Sequence, residues 1–193
     1  MISAVLLAAG ESKRMGEFKQ LLPVGGKTFV EICVDNLLAS RADEVIVVTG
    51  HRERDVRAVL EDRPVRFAHN PDYRLGMSES IRRGVEAVAE QARAVMIALV
   101  DQPLVSPDTI DQIIKAYEAH KGSIVIPSVE GRNGHPIILD MSLRQEILEI
   151  DPTRGLKQVV YAHTGETYHV ETSDRAVLID FDYPEDYKKL SGS

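Results

Sequence analysis

A chain of 193 residues, 44% hydrophobic and 27% charged, has the make-up of a soluble globular protein and the length to bury one sizeable core, so a single domain is expected over 1–193. Its formal charge of −7, with no basic run and no aromatic-interleaved basic patch, argues against a nucleic-acid partner. The lone Cys33 excludes an internal disulfide, no apolar run approaches the roughly 20 residues of a membrane span, and no basic segment precedes the first apolar run, so the expected location is the cytoplasm, away from membranes.

The first apolar run, 2–8, reads as a strand, and it leads into a small-residue loop within the stretch VLLAAGESKRMGEFK at 5–19. A helix is expected over 29–39, with Cys33 on its apolar side as a buried thiol. Strand 44–49, helix 53–60, strand 65–68, helix 78–90, strand 94–100, helix 109–120 and strand 123–127 follow. Most of the strands are unbroken apolar runs of the kind buried on both faces, and the alternation predicts a mostly parallel sheet between helices. Beyond Gly134 the rhythm changes to a strand at 136–139, helices near 143–150 and 156–162, strands near 167–170 and 176–179, and a last helix from Pro184. Residues 191–193 read as a frayed tail, and there is no repeat, low-complexity segment or linker.

In the first loop Ala8, Ala9 and Gly10 put no bulk between a ligand and the backbone, and Gly10 can take φ > 0. Successive N–H groups can then converge on a phosphate, with Arg14 and Lys19 adding charge. The bland alternative is a strand-to-helix turn with a glycine and a surface cation. Ligands bind outside the carboxyl ends of strands in open parallel sheets, so this loop and Asp101-Gln102-Pro103, after strand 94–100, are expected on one edge. Asp101 suits Mg²⁺, which binds few carboxylates and completes its shell with phosphate oxygens and water, although Asp before such a turn is also a common turn former. The acidic run 180–186 follows an apolar run and opens the last helix, where Asp182 could be only an N-cap. In 70–84, Gly76 precedes a serine-rich helix start. In 131–136, a glycine turn leads into a strand, and an isolated His135 is by default a packed histidine.

The run L-A-A-G-x-S-x-R-M-G followed by Lys19 resembles the signature of nucleotidyltransferases with a glycosyltransferase-A-like fold, and the resemblance covers nearly the whole chain. Within that superfamily the chain is most similar to the molybdenum cofactor cytidylyltransferase branch of the MobA-like NTP transferases. The related guanylyltransferases usually carry Gly-Gly in the loop and Asp before the lysine, where this chain has Ala9-Gly10 and Phe18. The resemblance implies a three-layer α/β/α, Rossmann-like, mostly parallel sheet of the nucleotide-diphospho-sugar transferase type. It implies Leu7, Ala8, Ala9, Gly10, Ser12, Arg14 and Lys19 around the triphosphate, with Gly76 and Ser80 at the base. Asp101 and Asp182 are implied as Mg²⁺ ligands, with Asp180 in reserve, and Gln102 and His135 as facing the acceptor. Tyr183 stands where relatives have Thr, and Asp151-Pro-Thr-Arg-Gly155 departs from the branch's Gly-Asp-x-Gly-Ala-Arg, which leaves acceptor recognition open.

The implied reaction is transfer of CMP from CTP to the phosphate of a molybdopterin-type cofactor with loss of pyrophosphate. Lys19, Arg14 and Asp101 carry the chemistry and Mg²⁺ is the cofactor, with contact to a molybdenum hydroxylase or its chaperone as a further expectation. A phosphomonoester is already ionised near neutral pH, so no strong base is needed. The alternatives are GTP or another nucleotide, a sugar-phosphate acceptor, and a non-catalytic accessory protein that binds nucleotide or cofactor. A Rossmann dehydrogenase is a poor fit, because Gly-x-Gly-x-x-Gly is missing after the first strand.

Overall fold

The computed structural model describes residues 1–120 and 122–191. Its strands are β1 (Ile2–Leu7), β2 (Pro23–Val24), β3 (Lys27–Thr28), β4 (Glu44–Thr49), β5 (Arg66–His69), β6 (Ala94–Leu99), β7 (Ile124–Val129), β8 (Arg132–Asn133), β9 (Ile137–Asp140) and β10 (Thr167–Glu171). Its α-helices are α1 (Phe29–Leu38), α2 (Glu53–Val59), α3 (Met77–Ala87), α4 (Pro107–Ala119), α5 (Arg144–Leu148), α6 (Lys157–Ala162) and α7 (Pro184–Ser191).

The main sheet runs β10-β7-β9-β6-β1-β4-β5, with β8 folded back on β7. Pairing is parallel except around β9, which lies antiparallel between β6 and β7, and in the β7–β8 hairpin. The change of rhythm after Gly134 is this reversal.

Strand β1 lies inside the sheet between β6 and β4, with its residues buried on both faces. Ala4 and Leu6 point to one side, where Val30, Val34 and Leu37 of α1 and Ile110, Ile113 and Ile114 of α4 cover them. Val5 and Leu7 point to the other side, against Ile81 and Val85 of α3 and Ile147 of α5. These are the three expected layers. Thr28 and Glu31 form a capping box that starts α1, and Ser106 caps α4 with Pro107 in its first turn. Cys33 is buried against the main chain at Val100, and burial pushes its thiol well above the usual range. Gly84 is required by close approach, since a Cβ there would lie 2.3 Å from Val5 Cγ1.

Three expectations on local structure change. Residues 176–179 are not a strand; Arg175–Leu178 forms a 3₁₀ turn started by the Asp174 side chain, and the Val177 carbonyl is taken by the His135 N–H and by Gln102 Nε2 rather than by a neighbouring strand. Helix α3 ends at Ala87, three residues short of the expected end. Of the expected tail, Ser191 closes α7, and 192–193 lie outside the described residues. Among the described residues no helix is long and apolar enough to cross a membrane.

Candidate active site

Leu7 of β1 lies opposite Leu99 of β6 in parallel register, so the loops after these two strands emerge side by side. They enclose a cavity of about 320 Å³, completed by the start of α3 and by Asp182. Leu7, Ala9, Gly10, Ser12, Arg14, Lys19, Gly76, Ser80, Asp101 and Asp182 all line it, whereas Ala8, Gln102 and His135 do not.

The loop is held differently from the expectation. Gly10 does not use positive φ; Ser12 (φ 56) and Gly16 (φ 75) make the left-handed steps. A Cβ built on Gly10 meets nothing within 4 Å, so its bare backbone faces open cavity. The Ala8 N–H is spent on the Val48 carbonyl at 3.0 Å and cannot serve an anion.

The loop's brace is Gln20, which sequence reasoning missed. Only 1% exposed, it donates through Nε2 to the carbonyls of Ala8 (3.1 Å) and Gly10 (2.8 Å). Its Oε1 accepts from Ser12 Oγ at 2.9 Å, and Ser12 Oγ accepts the Lys19 N–H at 3.2 Å. The Ser12 hydroxyl is therefore committed to loop structure. A polar residue directly after Lys19 and just before an apolar pair was the available signal.

Lys19 Nζ lies 2.8 Å from Asp101 Oδ2 and 2.7 Å from Asp182 Oδ1, with only 12% of the side chain exposed. Burial opposes its charge, but the pull of Asp101 and the hydrogen bonds to both carboxylates outweigh it and hold the ammonium above the usual lysine range. Arg14 Nη2 meets the other oxygen of Asp182 at 2.8 Å, and its guanidinium lies 5.7 Å from the centre of the Tyr183 ring, so Tyr in place of Thr gives Arg14 an aromatic face. Asp182 is delivered by its neighbour Phe181, whose N–H donates to the Asp101 carbonyl at 2.9 Å and whose ring packs edge-on against Phe29.

Asp101 Oδ1 is buried with no hydrogen-bond partner among the described residues. An orphaned carboxylate oxygen beside a second carboxylate fits a hard divalent cation that takes its remaining ligands from phosphate and water. No group of three or more potential ligands gathers among the described residues.

Asp180 turns away from this pair and accepts from Gln102 Nε2 at 2.7 Å. Partial burial and repulsion from Asp101 and Asp182 raise its carboxyl above the usual range in spite of that bond. Gln102 itself is buried, with its amide spent on Asp180 and Val177, so it braces the 177–180 segment. His135 is mostly desolvated, which holds its imidazole below the usual range against the attraction of Asp180 and Asp101.

At the far end of the cavity Gly76 (φ 114) makes the turn into α3 and is its N-cap, so Ser78 lies inside the helix rather than capping it. Ser80, one turn further on, accepts from the buried Asn70 Nδ2 at 3.0 Å.

The MobA-like NTP transferase domain matches residues 4–167. The chain is 27% identical over 187 residues to the molybdenum cofactor cytidylyltransferase of Escherichia coli K12, covering 96% of this chain and 93% of the relative. It is 34% identical over 152 residues to nicotine blue oxidoreductase of Paenarthrobacter nicotinovorans, covering 76% and 74%. A Mycobacterium tuberculosis H37Rv protein solved in complex with manganese superposes with a TM-score of 0.79 at 27% identity, covering 100% of this chain and 98% of that one. With an α/β fold of the glycosyltransferase-A-like type and a cavity at the strand ends lined by Arg14, Lys19, Asp101 and Asp182, this chain belongs to the MobA-like NTP transferase family, a family of nucleotidyltransferase enzymes.

Proposed function

We propose that this enzyme transfers CMP from CTP to the phosphate of a molybdopterin-type cofactor in the cytoplasm, with Mg²⁺, releasing pyrophosphate and passing the product to a molybdenum hydroxylase or its chaperone. The observation that carries the reading is Lys19 Nζ seated between Asp101 and Asp182, beside the bare backbone of Gly10. The cytidylyltransferase relative, matched along almost its whole length, supports the choice of nucleotide and acceptor.

An acceptor phosphate oxygen bonds to the α-phosphorus while the bond from that phosphorus to the oxygen bridging to the β-phosphate breaks. Both reactants are anionic, so charge is the main obstacle. A bound Mg²⁺, held by Asp101 and Asp182, would offset charge on the phosphates and leaving group. Lys19, already an ammonium at neutral pH, neutralises the α-phosphate. Arg14 and the Gly10 N–H bind the β- and γ-phosphates. Gly76 lets the base approach the backbone and Ser80 meets its edge. The acceptor enters from the side of His135. Gln102 acts there as a positioning residue, because its amide is already used.

The oxidoreductase relative favours one second reading, a redox enzyme using the same cavity. Purified protein incubated with Mg²⁺, molybdopterin-type cofactor and each of CTP, GTP, ATP and UTP, followed for pyrophosphate and product mass, separates the two. A CMP–cofactor adduct formed only with CTP supports the proposal; another nucleotide keeps the mechanism and moves the specificity. No pyrophosphate from any of them overturns the proposal and leaves the redox reading standing.

A further inference from the structure

At the base end of the cavity Ser80 is paired with a buried amide, Asn70, that the reaction above leaves without a role. Asn70 follows β5 and is fully buried, and its backbone N–H donates to the Thr49 carbonyl at 2.7 Å. Its Oδ1 accepts the Asp72 N–H at 2.9 Å and its Nδ2 donates to Ser80 Oγ at 3.0 Å. The amide cannot be turned round, because a backbone N–H only donates and must face the carbonyl oxygen. Nδ2 therefore reaches Ser80 as a donor, and Ser80 accepts there. A serine hydroxyl has one proton, and among the described residues no group accepts it. Ser80 is 6% exposed and lines the cavity, so the remaining direction for that proton is the ligand.

We infer that Asn70 is a positioning residue that holds Ser80 as a hydrogen-bond donor toward the cavity, so that the base edge meeting Ser80 must present an acceptor, a ring-nitrogen lone pair or a carbonyl oxygen. The inference rests on the nucleotide reading of the cavity. Without Asn70 the hydroxyl can turn and offer a lone pair instead. With Asn70 in place, a base presenting N–H at that point sets two donors against each other in a desolvated site, a mismatch of roughly ten- to a hundredfold in affinity.

The test is a double-mutant cycle on binding in the presence of Mg²⁺, with wild type, Asn70→Leu, Ser80→Ala and the double variant titrated calorimetrically against CTP and against inorganic triphosphate, which has no base. Asn70→Leu and Ser80→Ala are each expected to weaken CTP binding by about tenfold, while the double variant is no weaker than Ser80→Ala within about twofold. Triphosphate affinity is expected to stay unchanged in all of them. A full further loss from Asn70→Leu in the Ser80→Ala background, an equal loss for triphosphate, or no loss for CTP overturns the inference. If Asn70→Leu does not fold, Asn70→Ser, which keeps an oxygen near the Asp72 N–H, takes its place in the cycle. A wild-type protein that binds triphosphate and CTP equally overturns this inference and the placing of the base at Ser80 but leaves the phosphate site standing; one that binds neither overturns the functional reading and this inference with it.

Discussion

Replacing Lys19 by Met should separate cation binding from catalysis. The methionine keeps the stem of the side chain and removes the ammonium that sits 2.7 to 2.8 Å from Asp182 and Asp101. A divalent cation held by those carboxylates would share them with the ammonium; two unit charges about 4 Å apart at an effective dielectric of about 20 interact by about 4 kcal/mol, and the ion's second charge adds to this. Even a third of that repulsion, about 1.4 kcal/mol, is a tenfold change in affinity. With nucleotide absent, Lys19→Met is therefore expected to bind Mn²⁺ or Mg²⁺ at least about tenfold more tightly than wild type. With all substrates present it should turn over about 10² to 10³ times more slowly, the usual cost of losing one donor aimed at transition-state charge. Electron paramagnetic resonance titration of Mn²⁺ and pyrophosphate release read the two effects, with near-ultraviolet circular dichroism confirming the fold. Unchanged or weaker Mn²⁺ binding by the folded variant would refute the placement of the cation, and near-normal turnover would refute the role of Lys19.

Gly84→Ala forces a Cβ to within 2.3 Å of Val5 Cγ1, an overpacking loss of about 1 to 3 kcal/mol that exceeds the gain in helix propensity; denaturant unfolding should show a net loss that Val5→Ala partly restores. Gln20→Met leaves the Ala8 and Gly10 carbonyls and the Ser12 hydroxyl without their partner, so stability should fall by about 1 to 3 kcal/mol and triphosphate binding should weaken; retention of both would contradict the bracing role. Burial lowers the folded pKa of His135, so between the unfolded value near 6.5 and the lower folded value the unfolded chain binds the extra proton, and stability falls as pH drops through that window. His135→Gln should flatten this slope, measured as unfolding free energy at pH 7 and pH 5; an unaltered slope would show the imidazole to be free to charge in the fold.

The layers of this fold were legible because β1, β4 and β6 are continuous apolar runs that only a doubly covered sheet can bury; of the helices, α1 and α4 start on side-chain caps, whereas α2 and α3 do not. The 176–179 run misled for a specific reason. An apolar run records burial, and Val177 is indeed buried, but burial does not say which donor its backbone will find. Here the donors are a histidine N–H and a glutamine side chain more than forty residues earlier in the chain, a pairing no local pattern encodes. The short hairpin of β2 and β3 is the opposite case, since Gly25 (φ 58) and Gly26 (φ 87) are a readable two-residue turn signal that went unused.

At the site, the sequence located the charged groups better than it located their supports. Lys19, Asp101 and Asp182 lie 82 and 163 residues apart in the pairs they form, yet each stands beside a strand end or an aromatic anchor that brings it to the same edge. Gln20, Asn70 and Gln102 carry no formal charge, so reading from charge and motif passes over Gln20, takes Asn70 only as the start of the 70–84 segment near the base, and assigns Gln102 to substrate. All three are amides that are at least nine-tenths buried; Gln20 and Asn70 use both ends of the side chain, and Gln102 spends its NH₂ on Val177 and Asp180. A buried amide is costly unless its partners are fixed, so each of these residues marks a place where the loops around the cavity are not free to relax. Rigidity of this kind is what holds a lysine between two carboxylates, with one carboxylate oxygen left without a partner among the described residues.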